Sequence, residues 1–378
     1  MARGRKSKSI DPLRAALEDE WLLGMSLATC AAFAYAGESA YDRLDQPLWF
    51  TFIFGWLFVV VAASALSVVR HADRLAERLG EPYGTLILTI SVTAIEVMSI
   101  SAVMLHGENN PTLVRDTLFA IVMIILGGMV GLSLLAGGFR HREQHYNLQG
   151  ANTYLGVIIP LAILTLSLPN FTVTTPGPTL SIPQQIFLAA VAIGLYLAFL
   201  AIQTGRHRRY FTFKEPGEAH EKSPVRHEHG LAWHAILLIA YILPVVFLAK
   251  QLAHPIDYLI ETLRLPSSLG GIIIAVLVAT PEAIGAVHAA WDNRLQRSIN
   301  IFLGSVMATI GLSVPIMLAV SYITGNEIYL GLDGANSLLL MVTLAVSVVT
   351  FASGRTNILQ GAVHIVLFAA FVMLIFQG

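Results

Sequence analysis

The 378-residue chain is poor in charge and nearly devoid of cysteine. Charged residues make up 12 % of it, whereas soluble domains average about 25 %. A water-exposed surface needs more charge, so an ordinary soluble enzyme, a nucleic-acid binder and a disordered chain are all poor fits. The lone cysteine, Cys30, can form neither an internal disulfide nor a multi-cysteine metal site, and it reads as a small packing residue in an apolar stretch. Strands of about ten residues with alternating polarity are missing, which argues against a β-barrel. No nucleophile–base motif or metal triad stands out, so the chain is not read as an enzyme and no cofactor is expected.

Apolar sequence is abundant instead. It accounts for 55 % of the residues, and the mean hydropathy is +0.68. A helix needs about 20 predominantly apolar residues to cross a hydrocarbon core of about 30 Å. Eleven segments qualify, at roughly 21–37, 47–69, 83–105, 117–139, 152–173, 184–204, 232–252, 266–290, 298–324, 334–352 and 358–377. The expected fold class is therefore an all-α polytopic membrane protein with lipid as its first partner.

Lys and Arg favour cytoplasmic loops. If the tail bearing Arg3, Arg5, Lys6, Lys8 and Arg14 is cytoplasmic, the even-numbered loops are too, and 19 of the 23 basic residues fall on that side. The other side receives Arg43, Arg115, Lys250 and Arg264. This predicts a multi-pass inner-membrane protein with a cytoplasmic N-terminus and a periplasmic C-terminus. Ala34-Tyr35-Ala36 resembles a signal-peptidase site, but Glu18, Asp19 and Glu20 precede the apolar run where a signal peptide prefers positive charge. The first span is expected to be retained.

Two acids interrupt the apolar spans. Glu96 lies within 83–105 and Glu282 within 266–290, each the only acid of its span and within roughly 6 Å of the midplane at about 1.5 Å per residue. An ionisable group there is costly and marks a functional site by default. Each acid-bearing span is followed by a short polar loop and a Gly/Ser-rich span, with Gly127, Gly128, Gly131 and Ser133 in the first, and Gly304, Ser305, Thr309, Gly311 and Ser313 in the second. The acids stand 186 residues apart in spans that run in opposite directions. The implied organisation is 1–46, basic tail and extra first span; 47–204, a first five-helix repeat; 205–231, a cytoplasmic His-rich linker; and 232–378, a second five-helix repeat of inverted topology. Inverted repeats with a midplane site at their junction are the mark of secondary transporters.

Helical spacing places Thr89, Thr93 and Glu96 on one face, with Ser99 nearby, opposite a small face of Ala275, Ala279, Glu282 and Ala286. Pro281 lacks an N–H, so the Leu277 carbonyl loses its helical partner and becomes a backbone ligand candidate; otherwise the site is a kink satisfied by a hydroxyl or water. Two carboxylates among hydroxyl and carbonyl oxygens suit Ca2+, Na+ or K+ better than soft metals. When empty, such a pair in a low-dielectric core cannot easily be doubly charged, so a proton takes the place of the cation. If the site opens to one side at a time, cation/proton antiport follows. A cation channel could use the same acids, but without proton coupling.

Several long runs now carry a family resemblance: Ser67-Val-Val-Arg-His-Ala-Asp73, Arg78-Leu-Gly-Glu-Pro-Tyr-Gly84, Pro111-Thr-Leu-Val-Arg-Asp-Thr117, Ser305-Val-Met-Ala-Thr-Ile310 and Gly354-Arg-Thr-Asn357. The chain resembles the calcium:cation antiporter superfamily, and most closely its bacterial Cha-type calcium/sodium/potassium–proton antiporters. The related exchangers carry Gly-Asn-Ala-x-Glu motifs whose glutamates bind the ion. Here Glu96 and Glu282 occupy the Glu positions, Thr93 and Ala279 the Asn positions, and Val92 and Val278 the Gly positions. This departure bears on cation selectivity more than on transport mode. Gly304-Ser305 matches the family's Gly-Ser of the second helix. The resemblance implies that Glu96 and Glu282 bind the ion; with the proton argument above, they are expected to carry both the metal cation and the exchanged proton, with Thr93, Leu277, Asn300 and Ser305 as secondary candidates.

Other polar groups carry less. His207, His220, His227 and His229 belong to a linker that could sense pH or bind metal, or is simply solvated. His141 and His145 have i, i+4 spacing but lack the zincin pattern. His288 and His364 read as packing or helix–helix bonding groups rather than a proton relay. Asn300 and Asp116 either line an access path or cap their helices. The partners expected are lipid, inorganic cations and protons, with no nucleic acid; an oligomer is left open.

Overall fold

The computed structural model describes residues 20–80, 83–105, 110–212 and 230–377. The basic residues of the N-terminal tail, and His220, His227 and His229 of the linker, lie outside the described residues.

All eleven apolar segments form helices. They are α1 Trp21–Tyr41, α2 Pro47–Leu79 and α3 Tyr83–Met104; α4 Leu113–Met123, which continues through a π-helical turn, Ile124–Met129, into α5 Val130–His141; α6 Leu148–Leu166 and α7 Ile182–Ala201; α8 Leu231–Asp257 and α9 Ser268–Trp291; α10 Leu295–Ala308, which continues through a second π turn, Thr309–Ser313, into α11 Val314–Thr324; α12 Gly334–Thr350; and α13 Ile358–Gln377. Among the described residues, nine helices are long and apolar enough to cross a membrane. The 17-residue α12 is too short to be one of them, and α1, with its Gly, Ser, Thr and Glu38, is not among the nine either. The only strands among the described residues are β1 Gln144–His145 and β2 Arg355–Thr356, paired antiparallel.

Local chemistry sets the helix ends. The Asn147 side chain accepts hydrogen bonds from the Gln149 and Gly150 amides at the start of α6, and Asp333 does the same for the Asn336 amide at α12. Pro47 opens α2, where its missing N–H costs nothing. Gly325, at φ +74°, closes α11 in the left-handed conformation.

Burial then sorts the helices. The continuous segments Leu113–His141 and Leu295–Thr324 are 83 % and 78 % buried over their most apolar stretch, whereas Ile358–Gln377 is only 17 % buried. The first two form the centre of the bundle. The outer helices expose Ile186, Phe187, Ile236, Ile239 and Val366, an apolar exterior suited to lipid. Close approach at the centre depends on glycine. A Cβ at Gly271 of α9 would lie 2.7 Å from the Thr117 backbone nitrogen of α4, and one at Gly361 of α13 would lie 2.8 Å from the Leu135 backbone nitrogen of α5.

After α1, the element order repeats: two helices, a long segment broken by a π turn, then two more helices. The π turns inside these two long segments begin at Ile124 and Thr309, 185 residues apart, close to the separation of the two glutamates; two further π turns, Ile202–Arg206 and Tyr258–Thr262, follow α7 and α8. Helix α1 is an addition tied in at both ends. Glu20 bonds Arg70 (2.8 Å) and accepts from the Tyr241 hydroxyl (2.7 Å). At the other end, the Tyr41 hydroxyl donates to the Gln251 side chain (2.8 Å), and its ring stacks on His254 at 3.9 Å.

Candidate ion-binding site

Glu96 sits midway along α3 and Glu282 follows Pro281 in α9, which runs unbroken through the proline. Both carboxylates line one cavity of about 360 Å³. Glu96 is almost wholly enclosed, at 1 % exposure.

Each carboxylate receives a hydroxyl from α10 or its π turn. The Thr309 hydroxyl donates to Glu96 Oε2 at 2.9 Å, and the Ser305 hydroxyl donates to Glu282 Oε2 at 2.5 Å. Ser305 and Thr309 are four residues apart and therefore share a helix face. That single face reaches both acids, one from each half of the chain. Hydrogen bonds to ionised acceptors are the strong ones, so the pair of hydroxyls supports negative charge at either glutamate. The other Glu96 oxygen, Oε1, and the Thr93 hydroxyl are buried without a hydrogen-bond partner. Free oxygens pointing into an enclosed site are what a cation or an added proton would use.

The remaining candidates fall in different places. Thr93 and Ser305 line the cavity with the glutamates. Asn300 also lines it, but its side chain is engaged by its neighbours: Nδ2 donates to the Phe211 carbonyl (2.8 Å), and Oδ1 accepts from Gln296 (3.0 Å). Leu277 is buried and lies outside the cavity lining. His364 is buried, with Nδ1 on the Leu126 carbonyl (2.6 Å) and Nε2 on the Thr350 hydroxyl (2.9 Å). His288 is exposed beside Asp292. Asp116 bonds Thr112 and Arg115 in the first turn of α4. The Thr309 contact to Glu96, across 213 positions, is one that sequence spacing could not reveal. Tyr154, Tyr196, Gln203, Asp73 and Arg297 also join the lining unforeseen. Among the described residues, no three His, Cys, Asp or Glu side chains converge on a metal position. The site is a two-carboxylate, hydroxyl-lined set, the oxygen donors that hard cations take.

The cavity extends from the glutamates toward one end of the bundle. Its outer lining includes Asp73, Gln203 and Arg297, near the close of α2, the turn after α7 and the start of α10. That end also carries Arg70, Arg140, Arg206, Arg294 and Arg355, and it is called the basic end below.

The profile of the family described as "Sodium/calcium exchanger protein" matches residues 48–205 and 233–377. The chain belongs to this exchanger family. Among its relatives, the exchanger is 41 % identical over 319 residues to the sodium-potassium/proton antiporter ChaA of Escherichia coli (strain K12), covering 84 % of this chain and 86 % of that protein. It is 21 % identical over 323 residues to the Ca(2+)/H(+) antiporter ChaA of Bacillus subtilis (strain 168), covering 84 % and 90 % of the two chains. Among solved structures, the fold matches native YfkE with a TM-score of 0.73 at 19 % identity, over 94 % of this chain and all of that one. The H+/Ca2+ exchanger CAX matches with a TM-score of 0.64 at 15 % identity, over 97 % and 90 %. The exchanger is a multi-pass, all-helical membrane protein with the fold of these polytopic exchangers.

Proposed function

We propose that this exchanger is an inner-membrane cation/proton antiporter that trades Na+, K+ or Ca2+ for protons by alternating access, with Glu96 and Glu282 carrying both species. The observation that carries this reading is the meeting of one carboxylate from each half of the chain in one buried cavity, each bonded by a hydroxyl from the same face of α10. The relationship to the sodium-potassium/proton antiporter of Escherichia coli supports monovalent cations and protons as the exchanged species.

The chemistry follows from burial. With a cation between them, both carboxylates are ionised and their repulsion is screened at contact. Without it, two anions in a water-poor core repel, and protonation removes the repulsion. The empty, doubly ionised state is therefore the costly one, and it is the state that uncoupled leakage would require. Thr93 and Ser305 add hydroxyl oxygens to the cation's shell, and Asn300 lines the same cavity farther toward the basic end. The basic end is the cytoplasmic one in this reading, because Lys and Arg concentrate there, so the cavity is the inward-facing path.

The test is a proteoliposome assay in which an imposed ΔpH is offered to Na+, K+ and Ca2+ in turn. Antiport predicts cation movement against its own gradient, driven by ΔpH. Glu96→Gln and Glu282→Gln should each abolish that movement while the protein still inserts and keeps a monodisperse profile in detergent. Flux that only runs downhill and ignores ΔpH would mean a channel, and wild-type exchange in either variant would refute the assignment of the site.

A further inference from the structure

Apart from the two glutamates, the cavity lining holds one acid and one base, Asp73 of α2 and Arg297 of α10. Val69 and Asp73, four residues apart, turn the same face of α2 into the cavity. On α10, the lining residues Arg297, Asn300, Ile301, Gly304, Ser305 and Ala308 form a continuous stripe at helical spacing. Arg297 is eight residues before Ser305, or about 12 Å along the helix axis. The stripe therefore leads from an exposed cation at the basic end to the hydroxyl that bonds Glu282.

Asp73 and Arg297 come from different halves of the chain and line the same mouth. Arg74 and Glu77 act on Asp73 from its own helix. Asp73 is only partly exposed, while Arg297 is exposed on a long side chain. Any cation travelling between the basic end and the glutamates passes this pair. A partly desolvated carboxylate in a low-dielectric mouth concentrates cations. An unopposed one would also hold them, and transit requires a stop that is strong enough to enter and weak enough to leave. A guanidinium that never loses its proton supplies the opposing charge.

We propose that Asp73 is the first stop for the transported cation on the path from the basic end to Glu96 and Glu282, and that Arg297 competes with the cation for that carboxylate. The fixed positive charge of Arg297, on the same mouth, weakens the hold of Asp73 on an arriving cation, so that the cation moves on to the glutamates. This rests on the antiport reading above. It separates capture at Asp73 from exchange at the glutamates.

Inverted membrane vesicles, which expose the cytoplasmic face, provide the test. Initial rates of ΔpH dissipation are measured against Na+ and Ca2+ concentration. A unit charge at about 4 Å in a water-like dielectric changes the affinity for a monovalent cation about fivefold, and more for Ca2+. Asp73→Asn should therefore raise KM about fivefold with the maximal rate kept within about twofold, and Asp73→Glu should restore KM. Arg297→Gln should lower KM. Raising ionic strength should shrink both effects. An unchanged KM in Asp73→Asn overturns the proposal, as does a fallen maximal rate at constant KM, which marks a structural role. A shift of KM in the same direction for both variants overturns it too. Failure of antiport itself would appear in the wild-type vesicles, before any variant is compared, and would overturn both readings.

Discussion

Glu96 and Glu282 occupy unlike settings despite their matching depth. Glu96 is enclosed and keeps one oxygen unbonded beside the unbonded Thr93 hydroxyl, whereas Glu282 is partly exposed to the cavity. Both hydroxyl donors come from the second half of the chain; the corresponding central stretch of the first half, 118–132, has no hydroxyl at all. The two halves thus contribute one acid each but unequal donors, and the selectivity of the site should follow α10. A hydrogen bond to an ionised group contributes about 1.5–3 kcal/mol. Thr309→Ala and Ser305→Ala should each raise KM for the preferred cation at least about tenfold, while Thr309→Ser, which keeps the hydroxyl, should stay near wild type. Equal affinities for Thr309→Ala and wild type would show that the Thr309 bond does not support the bound ion. The acids were legible in the sequence because charge is costly in an apolar span, and that cost leaves a visible exception. Thr309 was not, since a hydroxyl is cheap in a helix and its partner lies 213 positions away. Leu277 was reached through the missing N–H of Pro281. Five residues from Glu282, its side chain lies on a different helix face, outside the cavity lining.

Helices were the easiest elements to anticipate, because membrane thickness dictates their length and lipid dictates their composition. The π turns at Ile124–Met129 and Thr309–Ser313 had no sequence signal, since one extra residue in a turn leaves the apolar pattern unbroken. They fall within the Gly/Ser-rich spans that follow each acid, and the second turn supplies Thr309 itself. Such turns recur at functional sites because they re-aim side chains without ending the helix. The first is held from outside: His364 Nδ1 of α13 donates to the Leu126 carbonyl within it. The glycines have a separate role, which is to let helices approach backbone to backbone. Gly271→Ala would push a methyl to 2.7 Å from the Thr117 nitrogen of α4, and backbone cannot yield as a side chain tip does. Overpacking of this kind costs about 1–3 kcal/mol, so the purified variant should unfold at a measurably lower temperature than wild type. Gly24→Ala on α1, where a Cβ meets nothing within 4 Å, is the control and should leave Tm unchanged. A Gly271→Ala protein as stable as the control would show that α9 and α4 can part at no cost.

Across the whole molecule, the two ends differ in how they are closed. Opposite the basic end, the connection 325–333 between α11 and α12 is strapped onto loops of the first half: the Tyr329 amide donates to the Pro111 carbonyl (2.8 Å), the Leu330 amide to the Pro178 carbonyl (3.2 Å) and the Leu332 amide to the Leu166 carbonyl (2.8 Å). Arg115 adds a bond to the Gly331 carbonyl at 3.1 Å. The cavity is at the other end, so among the described residues the glutamates are reached from the basic side. The proposed alternating access requires a second conformation in which that relation reverses, with protons and cations competing for the same carboxylates in both. The native chain makes this directly measurable, because Cys30 is its only cysteine. In a Cys30→Ala background, Gln203→Cys near the mouth and Thr89→Cys deeper in the lining should react with a membrane-impermeant maleimide applied to the cytoplasmic face. Tyr329→Cys, on the strap, should react only from the opposite face. The preferred cation should slow labelling of Thr89→Cys, and lowering the pH should raise the cation concentration needed for protection, because each added proton occupies a carboxylate the cation must use. Labelling of Gln203→Cys from the opposite face, or cation protection that is indifferent to pH, would refute a single site that opens to one side at a time.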